Sequence, residues 1–184
     1  MLSPSFSPFP EVSTQRLFLR RMTRQDAAEI LCLRSSDTVM KYIDRPKAKS
    51  ITDAEIFISR IEASVNSNNG IMWGITLKEN TDQLIGNIGY WRLIKEHYRA
   101  EVGYMLHPDF WKKGIMKEAL LKVIDFGFNN MKLHSIEAHI NPDNTASARL
   151  LESTGFKKEA HFKEDFFFEG TFRDSVIYSR LTPF

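Results

Sequence analysis

Cysteine is nearly absent from this sequence, since Cys32 is the only one among 184 residues. A single thiol excludes an intrachain disulfide framework and a thiolate-rich metal site, so a reducing cytoplasm is the expected setting. The five histidines are scattered and lack a ligand spacing such as H-E-x-x-H. No metal is therefore expected.

A surplus of charge is also lacking, because 25 basic and 23 acidic side chains leave a formal net charge of +2. This balance gives no overall attraction to nucleic acid or anionic lipid, so neither is an expected partner and any anion site must be local. No apolar run approaches the roughly 20 residues that a membrane span requires. Residues 1–12 contain three prolines and no basic segment, unlike a signal peptide, and predict an extended leader that orders on contact.

Hydrophobic periodicity, by contrast, is strong along the chain. Alternating apolar residues predict strands at 16–20, 71–77, 84–94, 100–106 and 135–140, and a closing hairpin formed by 156–168 and 172–181. Helical spacing predicts helices that begin near Thr23, Ile115 and Asn144, and one opened by a capping box from Thr52 to Glu55. Early antiparallel strands, one central β-α-β crossover and a final hairpin predict a mixed α/β sheet in a single domain spanning residues 1–184.

The stretch HPDFWKKGIMKEAL, residues 107–120, places Lys112, Lys113 and Gly114 where a loop enters a helix that begins at Ile115. The first N–H groups of a helix have no internal partner and lie at the positive end of its dipole, so they bind phosphate well. The alternative is that Gly114 only eases a turn and both lysines extend into solvent. Neither of the common glycine-rich phosphate loops, G-x-x-x-x-G-K-[ST] and G-x-G-x-x-G, is found at a suitable place.

A second informative stretch is NPDNTASARLLESTGF, residues 141–156. Asn144 and Ser147 are three residues apart, so both lie on one side of the opening turn of a helix, next to the end of a strand at Ile140. Simple N-capping by Asp143 or Asn144 is the alternative.

These motifs together resemble the GNAT superfamily of acyl-CoA-dependent N-acetyltransferases. The resemblance rests on Phe110 to Ala119, on Asn144-Thr145-Ala146-Ser147 and on Gly155-Phe156. Thr14 to Arg20, with Asp26-Ala27 and the closing Asp174, Tyr178 and Leu181, is similar to the RimJ/RimL branch, which acetylates ribosomal-protein N-termini. The resemblance to the family runs from about Val12 to Leu181, which is nearly the whole chain.

The resemblance implies a twisted sheet whose strands 100–106 and 135–140 splay apart, with the pantetheine arm of acetyl-CoA between them and its pyrophosphate on backbone N–H groups of the 112–116 loop. The residues that it assigns to the cofactor are Met105, Leu106, Lys112, Lys113, Gly114, Ile115, Met116, Asn144 and Ser147. The loop departs from the superfamily pattern [Q/R]-x-x-G-x-[G/A], because Trp111 and Met116 occupy its ends.

The resemblance also implies the catalytic groups. Glu101 matches the acidic position that serves as general base, although a surface carboxylate paired with Arg99 or Arg92 is the alternative. Leu151 stands where many GNAT enzymes have a tyrosine acid, so Ser147 becomes the candidate that assists the departing thiolate, and the N–H near Leu106 polarises the carbonyl. A glutamate with a pKa of ~4.3 deprotonates an α-amine of pKa ~8 more readily than a lysine of pKa ~10.4, which favours an α-amine acceptor.

The acceptor groove is expected beside the first helices and the strand that carries Tyr90 and Trp91, unless these aromatics are core residues. Cys32, between Leu31 and Leu33, is expected to be buried, which favours direct attack over a cysteine intermediate. The expected acceptor is a protein N-terminus, with a small-molecule amine such as a polyamine or aminoglycoside as the alternative. A catalytically idle CoA-binding module is the competing hypothesis, and a monomer and a homodimer are both open.

Overall fold

The computed structural model describes residues 1–182. The strands are β1 (Val12–Ser13), β2 (Leu17–Arg21), β3 (Ile71–Leu77), β4 (Gly86–Ile94), β5 (Arg99–Leu106), β6 (Ser135–Ile140), β7 (Lys157–Phe168) and β8 (Thr171–Leu181). The helices are α1 (Ala27–Ser35), α2 (Asp37–Met40), α3 (Ile51–Asn66), α4 (Ile115–Asn129) and α5 (Thr145–Ser153). None of the helices within residues 1–182 combines the length and apolar character that a membrane crossing needs.

All eight strands form one sheet in the order β1-β2-β3-β4-β5-β6-β8-β7. Neighbouring strands are antiparallel except β5 and β6, which run parallel and are joined through α4. The closing hairpin turns at Glu169 and Gly170, which both have positive φ, as a tight two-residue turn requires. The predicted mixed α/β sheet, with its central crossover and final hairpin, is confirmed.

The parallel pair separates soon after it forms. β5 and β6 are paired only from Arg99–Ser135 to Glu101–Glu137, although β5 continues to Leu106 and β6 to Ile140. Beyond that point β5 stays paired with β4, and β6 stays paired with β8. The sheet therefore opens between the carboxyl ends of its two central strands.

The core lies on both faces of the sheet. On one face, α4 buries Ala119, Leu120 and Val123 against fully buried Trp73 and other strand residues. Met72 points the opposite way from its neighbour Trp73, as alternation along a strand requires, and packs on a smaller apolar cluster from α1 and α3. The two helical layers hold the sheet from both sides and leave its central opening accessible.

Residues 1–11 run along the domain surface and are held by specific contacts. Leu2 and Phe6 are buried, and the Trp73 indole Nε1–H donates to the Pro10 carbonyl oxygen at 2.6 Å. Phe6 N–H donates to Asn68 Oδ1 at 2.9 Å. The segment is thus anchored at both of its ends.

Two local predictions are wrong. The capping box of α3 is formed by Ser50 and Asp53, whose side chains each accept from the backbone N–H of the other, and not by Thr52 and Glu55. Both pairs fit the same pattern with an offset of two residues, and the helix already begins at Ile51. Cys32 is exposed because α1 turns Ile30 and Leu33 toward the core.

Candidate active site

A cavity of about 580 Å³ opens where β5 and β6 part. It is lined by residues from β4, β5, β6, α5, the segment between α2 and α3, and the closing hairpin. Among the residues predicted for catalysis and substrate binding, Trp91, Glu101 and Ser147 line it, and so do Met105 and Asn144, which were predicted to bind the cofactor. Cys32 does not line it, although its thiol is exposed.

Glu101 lies on β5 at the last residue of the parallel pairing, and only 6% of its surface is exposed. Burial and the neighbouring Glu137 carboxylate raise its pKa from 4.5 to about 7, while Arg92, the Trp91 indole and Arg45 offset part of this rise. A surface ion pair is therefore the wrong alternative for Glu101. Its carboxyl group is poised to gain or lose a proton near neutral pH.

The sequence reasoning missed Glu137, which lies directly beside Glu101 in the parallel register. Glu137 is buried, and its carboxylate is 3.5 Å from Arg99 Nε and 3.7 Å from His139 Nε2. Ligand atoms of Glu101, Glu137 and His139 lie within 4.8 Å of one another, a spacing that a divalent cation also uses. Here Arg99 already supplies positive charge beside Glu137. The only sequence signal was the alternation of residues 135–140, which does not give the register with β5.

Tyr104 was also missed, although it lies three residues after Glu101. Its hydroxyl is 2.6 Å from Ser147 Oγ, and this hydrogen bond links β5 to α5 near the gap. Burial raises the pKa of Tyr104 to about 12, although the hydrogen bond with Ser147 acts in the opposite direction. Tyr104 and Ser147 therefore form a connected hydroxyl pair facing the cavity.

Asn144 caps α5, because its Oδ1 accepts from Ser147 N–H at 3.1 Å. Of the two residues considered for the N-cap, Asn144 therefore forms it, and the cap also fixes where the Ser147 hydroxyl lies. Asn87 of β4 lines the same cavity, and its buried Nδ2 finds no acceptor among residues 1–182. This amide is a donor that a bound molecule can use.

The 112–116 loop presents free backbone N–H groups. Within residues 1–182, no protein acceptor is found for the N–H groups from Lys112 to Met116. Lys112 and Gly114 both have positive φ, and Gly114 occupies the N-cap of α4 without a side-chain cap. Backbone amides at the start of a long helix suit a phosphate group.

The same loop is tied to the rest of the protein at two points. Trp111 Nε1–H donates to the Leu106 carbonyl oxygen at 2.7 Å, which gives a role to one of the two departures from the family pattern. Arg16 donates to the Lys113 carbonyl oxygen at 3.0 Å and to Glu118 at 2.7 Å. Burial opposes ionisation of Glu118, but hydrogen bonds from Thr14 and Arg16 outweigh it and lower its pKa.

The free edge of β5 also offers main-chain donors to the gap. His107 N–H donates to the Ile85 carbonyl oxygen at 2.8 Å, toward the β4 side. Because successive N–H groups along a strand point in opposite directions, the N–H groups of Leu106 and Tyr104 then face the gap. Met105 lies between them and pairs with Asn87.

A β-bulge separates the two aromatics that were predicted to contact substrate. Tyr90 pairs with Val102 and Arg92 with Glu101, so Trp91 is the extra residue. Tyr90 is 0% exposed and its hydroxyl donates to the Val123 carbonyl oxygen at 2.8 Å, whereas Trp91 is 46% exposed at the cavity. The prediction of a substrate contact by the Tyr90 side chain is therefore wrong, because this side chain belongs to the core.

Comparison with known proteins identifies the family. The model described as Acetyltransferase (GNAT) domain matches residues 16–157. The chain belongs to the GNAT acetyltransferase family. An uncharacterized N-acetyltransferase of Bacillus subtilis (strain 168), YoaA, is 38% identical over 175 residues, which cover 95% of this chain and 98% of YoaA. The resemblance seen in the sequence is thereby confirmed, and the protein is a GNAT N-acetyltransferase.

Other relatives of this GNAT enzyme act on different amines. The [ribosomal protein uS5]-alanine N-acetyltransferase of Escherichia coli (strain K12) is 30% identical over 102 residues, which cover 55% of this chain and 53% of that enzyme. Two solved structures share the fold. A GNAT-family acetyltransferase from Bacillus anthracis has a TM-score of 0.82 at 26% identity and covers 94% of this chain and 98% of its own. The Vibrio cholerae spermidine N-acetyltransferase, in complex with CoA and spermine, has a TM-score of 0.79 at 24% identity and covers 91% of this chain and 96% of its own.

Proposed function

We propose that this enzyme transfers an acetyl group from acetyl-CoA to an α-amine, such as a protein N-terminus, by direct attack with Glu101 as general base. The observation that carries this proposal is the buried Glu101 carboxyl group, whose pKa of about 7 lies close to that of an α-amine near ~8. A base works best when its pKa is near the operating pH. A polyamine amine of higher pKa is a poorer match to this base.

Three parts of acetyl-CoA have matching groups in the protein, namely the pyrophosphate, the pantetheine arm and the thioester. The free N–H groups from Lys112 to Met116 suit its pyrophosphate, and the gap between β5 and β6 suits its pantetheine arm. The Leu106 N–H faces this gap and would donate to the thioester oxygen as negative charge develops there. Acetyl-CoA supplies the acyl group, and every other contribution comes from the chain.

Three side chains assist the proton transfers that accompany acetyl transfer. Glu101 accepts the proton that the attacking nitrogen loses, directly or through a water, as the new C–N bond forms. The hydroxyl pair of Ser147 and Tyr104 donates a hydrogen bond to the sulfur when the C–S bond breaks, and the departing thiolate then takes its proton from the solvent, to which Glu101 releases the proton that it accepted. Tyr104 supports Ser147 in this role, because a phenol with a pKa of about 12 stays protonated and remains a hydrogen-bond donor.

The test is acetyl transfer followed by release of free CoA thiol, with N-terminal ribosomal peptides, spermidine and an aminoglycoside as acceptors. We expect peptides to be used best, and we expect Glu101→Gln to lower kcat roughly 100-fold or more while acetyl-CoA affinity stays within about twofold. Glu96→Gln is the matched control, because Glu96 is exposed and does not line the cavity.

The competing hypothesis is a CoA-binding protein without catalytic activity. It predicts that acetyl-CoA raises the melting temperature while no acceptor releases thiol. Full activity of Glu101→Gln would remove Glu101 from the mechanism, and a clear preference for spermidine would replace the α-amine with a polyamine.

A further inference from the structure

We propose that the acceptor carries a carboxylate or phosphate close to its reacting amine, and that Arg34, Arg45 and Arg60 bind this group in a second cavity beside the active site. The proposal rests on the acetyl transfer proposed above and names the chemical class of its acceptor.

The second cavity has a volume of about 320 Å³ and adjoins the main one. It lies between α1, α3, the segment before α3 and the bulge of β4. The two cavities have five lining residues in common, which are Arg34, Arg45, Phe57, Met72 and Trp91. One molecule can therefore extend from the Glu101 carboxylate into the second cavity.

The charged side chains that line the second cavity are all positive. Three arginines and no aspartate or glutamate line it, and none of these arginines has a carboxylate within 4.0 Å among residues 1–182. Burial, followed by the charges of Arg45 and Arg60, lowers the pKa of Arg34. Arg20 of β2, by comparison, has a carboxylate oxygen of Asp26 at 2.6 Å. Within the part of the chain that the structure describes, the three arginines of the cluster thus lack the carboxylate partner that five other arginines have, namely Arg16, Arg20, Arg21, Arg99 and Arg173.

Two of the guanidinium groups are held in place by neutral groups. Arg34 stacks on Phe57 at 4.4 Å and donates to the Pro46 carbonyl oxygen at 3.3 Å. Arg45 lies over Trp91 at 5.9 Å and donates to the Asp44 carbonyl oxygen at 2.9 Å. A guanidinium has five N–H donors in a planar fork, so most of them remain available. This geometry suits bidentate binding of a carboxylate or phosphate.

The acidic residues of the main cavity do not reverse this preference, because three of them are already engaged. Asp44 is paired with Arg173, Asp174 accepts from His161 at 2.7 Å, and Asp165 accepts from the Ser175 hydroxyl at 2.7 Å. A polycation would meet three arginines that have no carboxylate within 4.0 Å among residues 1–182. An amine with a nearby anionic group gains attraction where a polyamine is repelled.

The test uses three peptides that differ only at the second residue, with aspartate, asparagine or phosphoserine after an N-terminal serine. We expect kcat/KM at least about tenfold higher for one or both anionic peptides than for the asparagine peptide. The aspartate and phosphoserine arms decide which anion fits. The preference should fall to about twofold or less in Arg34→Gln and in Arg60→Gln.

Arg24→Gln is the matched control, since Arg24 is exposed, has no ion pair within residues 1–182 and lines neither cavity. It removes the same charge and should keep the preference. Arg60 is exposed, so Arg60→Gln keeps the test valid if Arg34→Gln folds poorly.

The outcomes separate this inference from the proposed function. Equal kcat/KM for all three peptides, or a preference for spermidine, overturns the anionic acceptor while acetyl transfer stands. Absence of transfer to any amine removes the proposed function. In that case a binding experiment decides the inference, in which calorimetry measures the affinity of the N-acetylated forms of the same peptides in the presence of CoA. Tighter binding of an anionic form, lost in Arg60→Gln, supports it, and equal affinity overturns it.

Discussion

The cleft has two halves that are built in different ways. The donor half, made of the 112–116 loop and the free edge of β5, offers mainly backbone N–H groups, and its nearby carboxylate Glu118 is fully engaged. The acceptor half, made of Glu101, Trp91 and the arginine cluster, offers side chains whose charges are poorly compensated. The donor half therefore suits a cofactor of fixed chemistry, and the acceptor half suits an amine substrate whose chemistry can vary.

Two glutamates show this difference on the scale of single residues. Hydrogen bonds from Thr14 and Arg16 outweigh burial and lower the pKa of Glu118, so its charge stabilises the fold. Burial and Glu137 raise the pKa of Glu101, so its charge costs stability. A general base needs the second environment, because a well-satisfied carboxylate has little tendency to accept a proton.

The largest expected effect is on folding stability. Below pH 4.5 Glu101 is protonated in the folded and unfolded states, but between pH 4.5 and 7 the unfolded chain loses this proton first, so stability falls as pH rises. Glu101→Gln does not titrate and should therefore become more stable than the wild type above pH 7, by at most about 3 kcal/mol. Urea unfolding at pH 4.5 and pH 8 measures the difference.

Glu118→Gln is the matched control for this prediction and should have the opposite sign, because it removes a favourable charge and its hydrogen bonds. The same stability difference between Glu101→Gln and wild type at both pH values would contradict the assigned pKa.

The next largest effect is expected for the 112–116 loop. Gly114 has φ of +74°, a conformation that a β-branched residue strongly disfavours, while an added Cβ would meet only Arg16 at 3.5 Å. Gly114→Val should therefore raise KM for acetyl-CoA roughly tenfold by distorting the loop, and leave KM for the amine nearly unchanged. Steady-state kinetics with each substrate varied in turn would measure both values.

Gly170→Val provides the comparison, because Gly170 has φ of +80° and nothing within 4 Å of the added Cβ. It imposes a similar strain in the closing hairpin, away from the donor half. A comparable rise in KM for acetyl-CoA in this variant would show that strain alone, and not the loop, causes the effect.

The donor half could be predicted from sequence because its determinants are local. A glycine before an apolar helical pattern located the start of α4 at Ile115, and alternation located β3 and β6 at their exact bounds. The pairing partners that open the gap came from the family resemblance. The departures at Trp111 and Met116 leave the main-chain N–H groups of the loop without a protein acceptor within residues 1–182.

The acceptor half could not be predicted in the same way because its residues meet through tertiary structure. Glu137 lies beside Glu101 only through the parallel register, and the arginines come from α1, α3 and the segment between α2 and α3. Tyr90 shares a strand face with buried Ile88 and enters the core, whereas Trp91 is the extra residue of the bulge and stays exposed. Sequence periodicity contains neither strand register nor bulge position.

A smaller effect tests how the neighbours of Glu101 set its pKa. Removing the Glu137 charge should lower this pKa, so in Glu137→Gln the rise of kcat/KM with pH should move below pH 7 and the rate at pH 6 should increase severalfold. Arg92 acts in the opposite direction, so Arg92→Gln should move the same rise to higher pH. One acceptor is used throughout, so that the ionisation of the amine is common to all profiles. Shifts of the same sign in both variants would contradict this electrostatic account.

The smallest expected effect is that of a chelator. Ligand atoms of Glu101, Glu137 and His139 are close enough for a divalent cation, but the Arg99 guanidinium beside Glu137 already provides the positive charge that two adjacent carboxyl groups need. Below pH 7 a proton on Glu101 provides the rest of the positive charge that the two carboxyl groups need. Incubation with EDTA followed by desalting should therefore leave kcat unchanged within error, with a metalloenzyme treated in parallel to verify chelation. A loss of activity that zinc or magnesium restores would instead make these three residues a metal site, and the role of Glu101 as a free base would have to be abandoned.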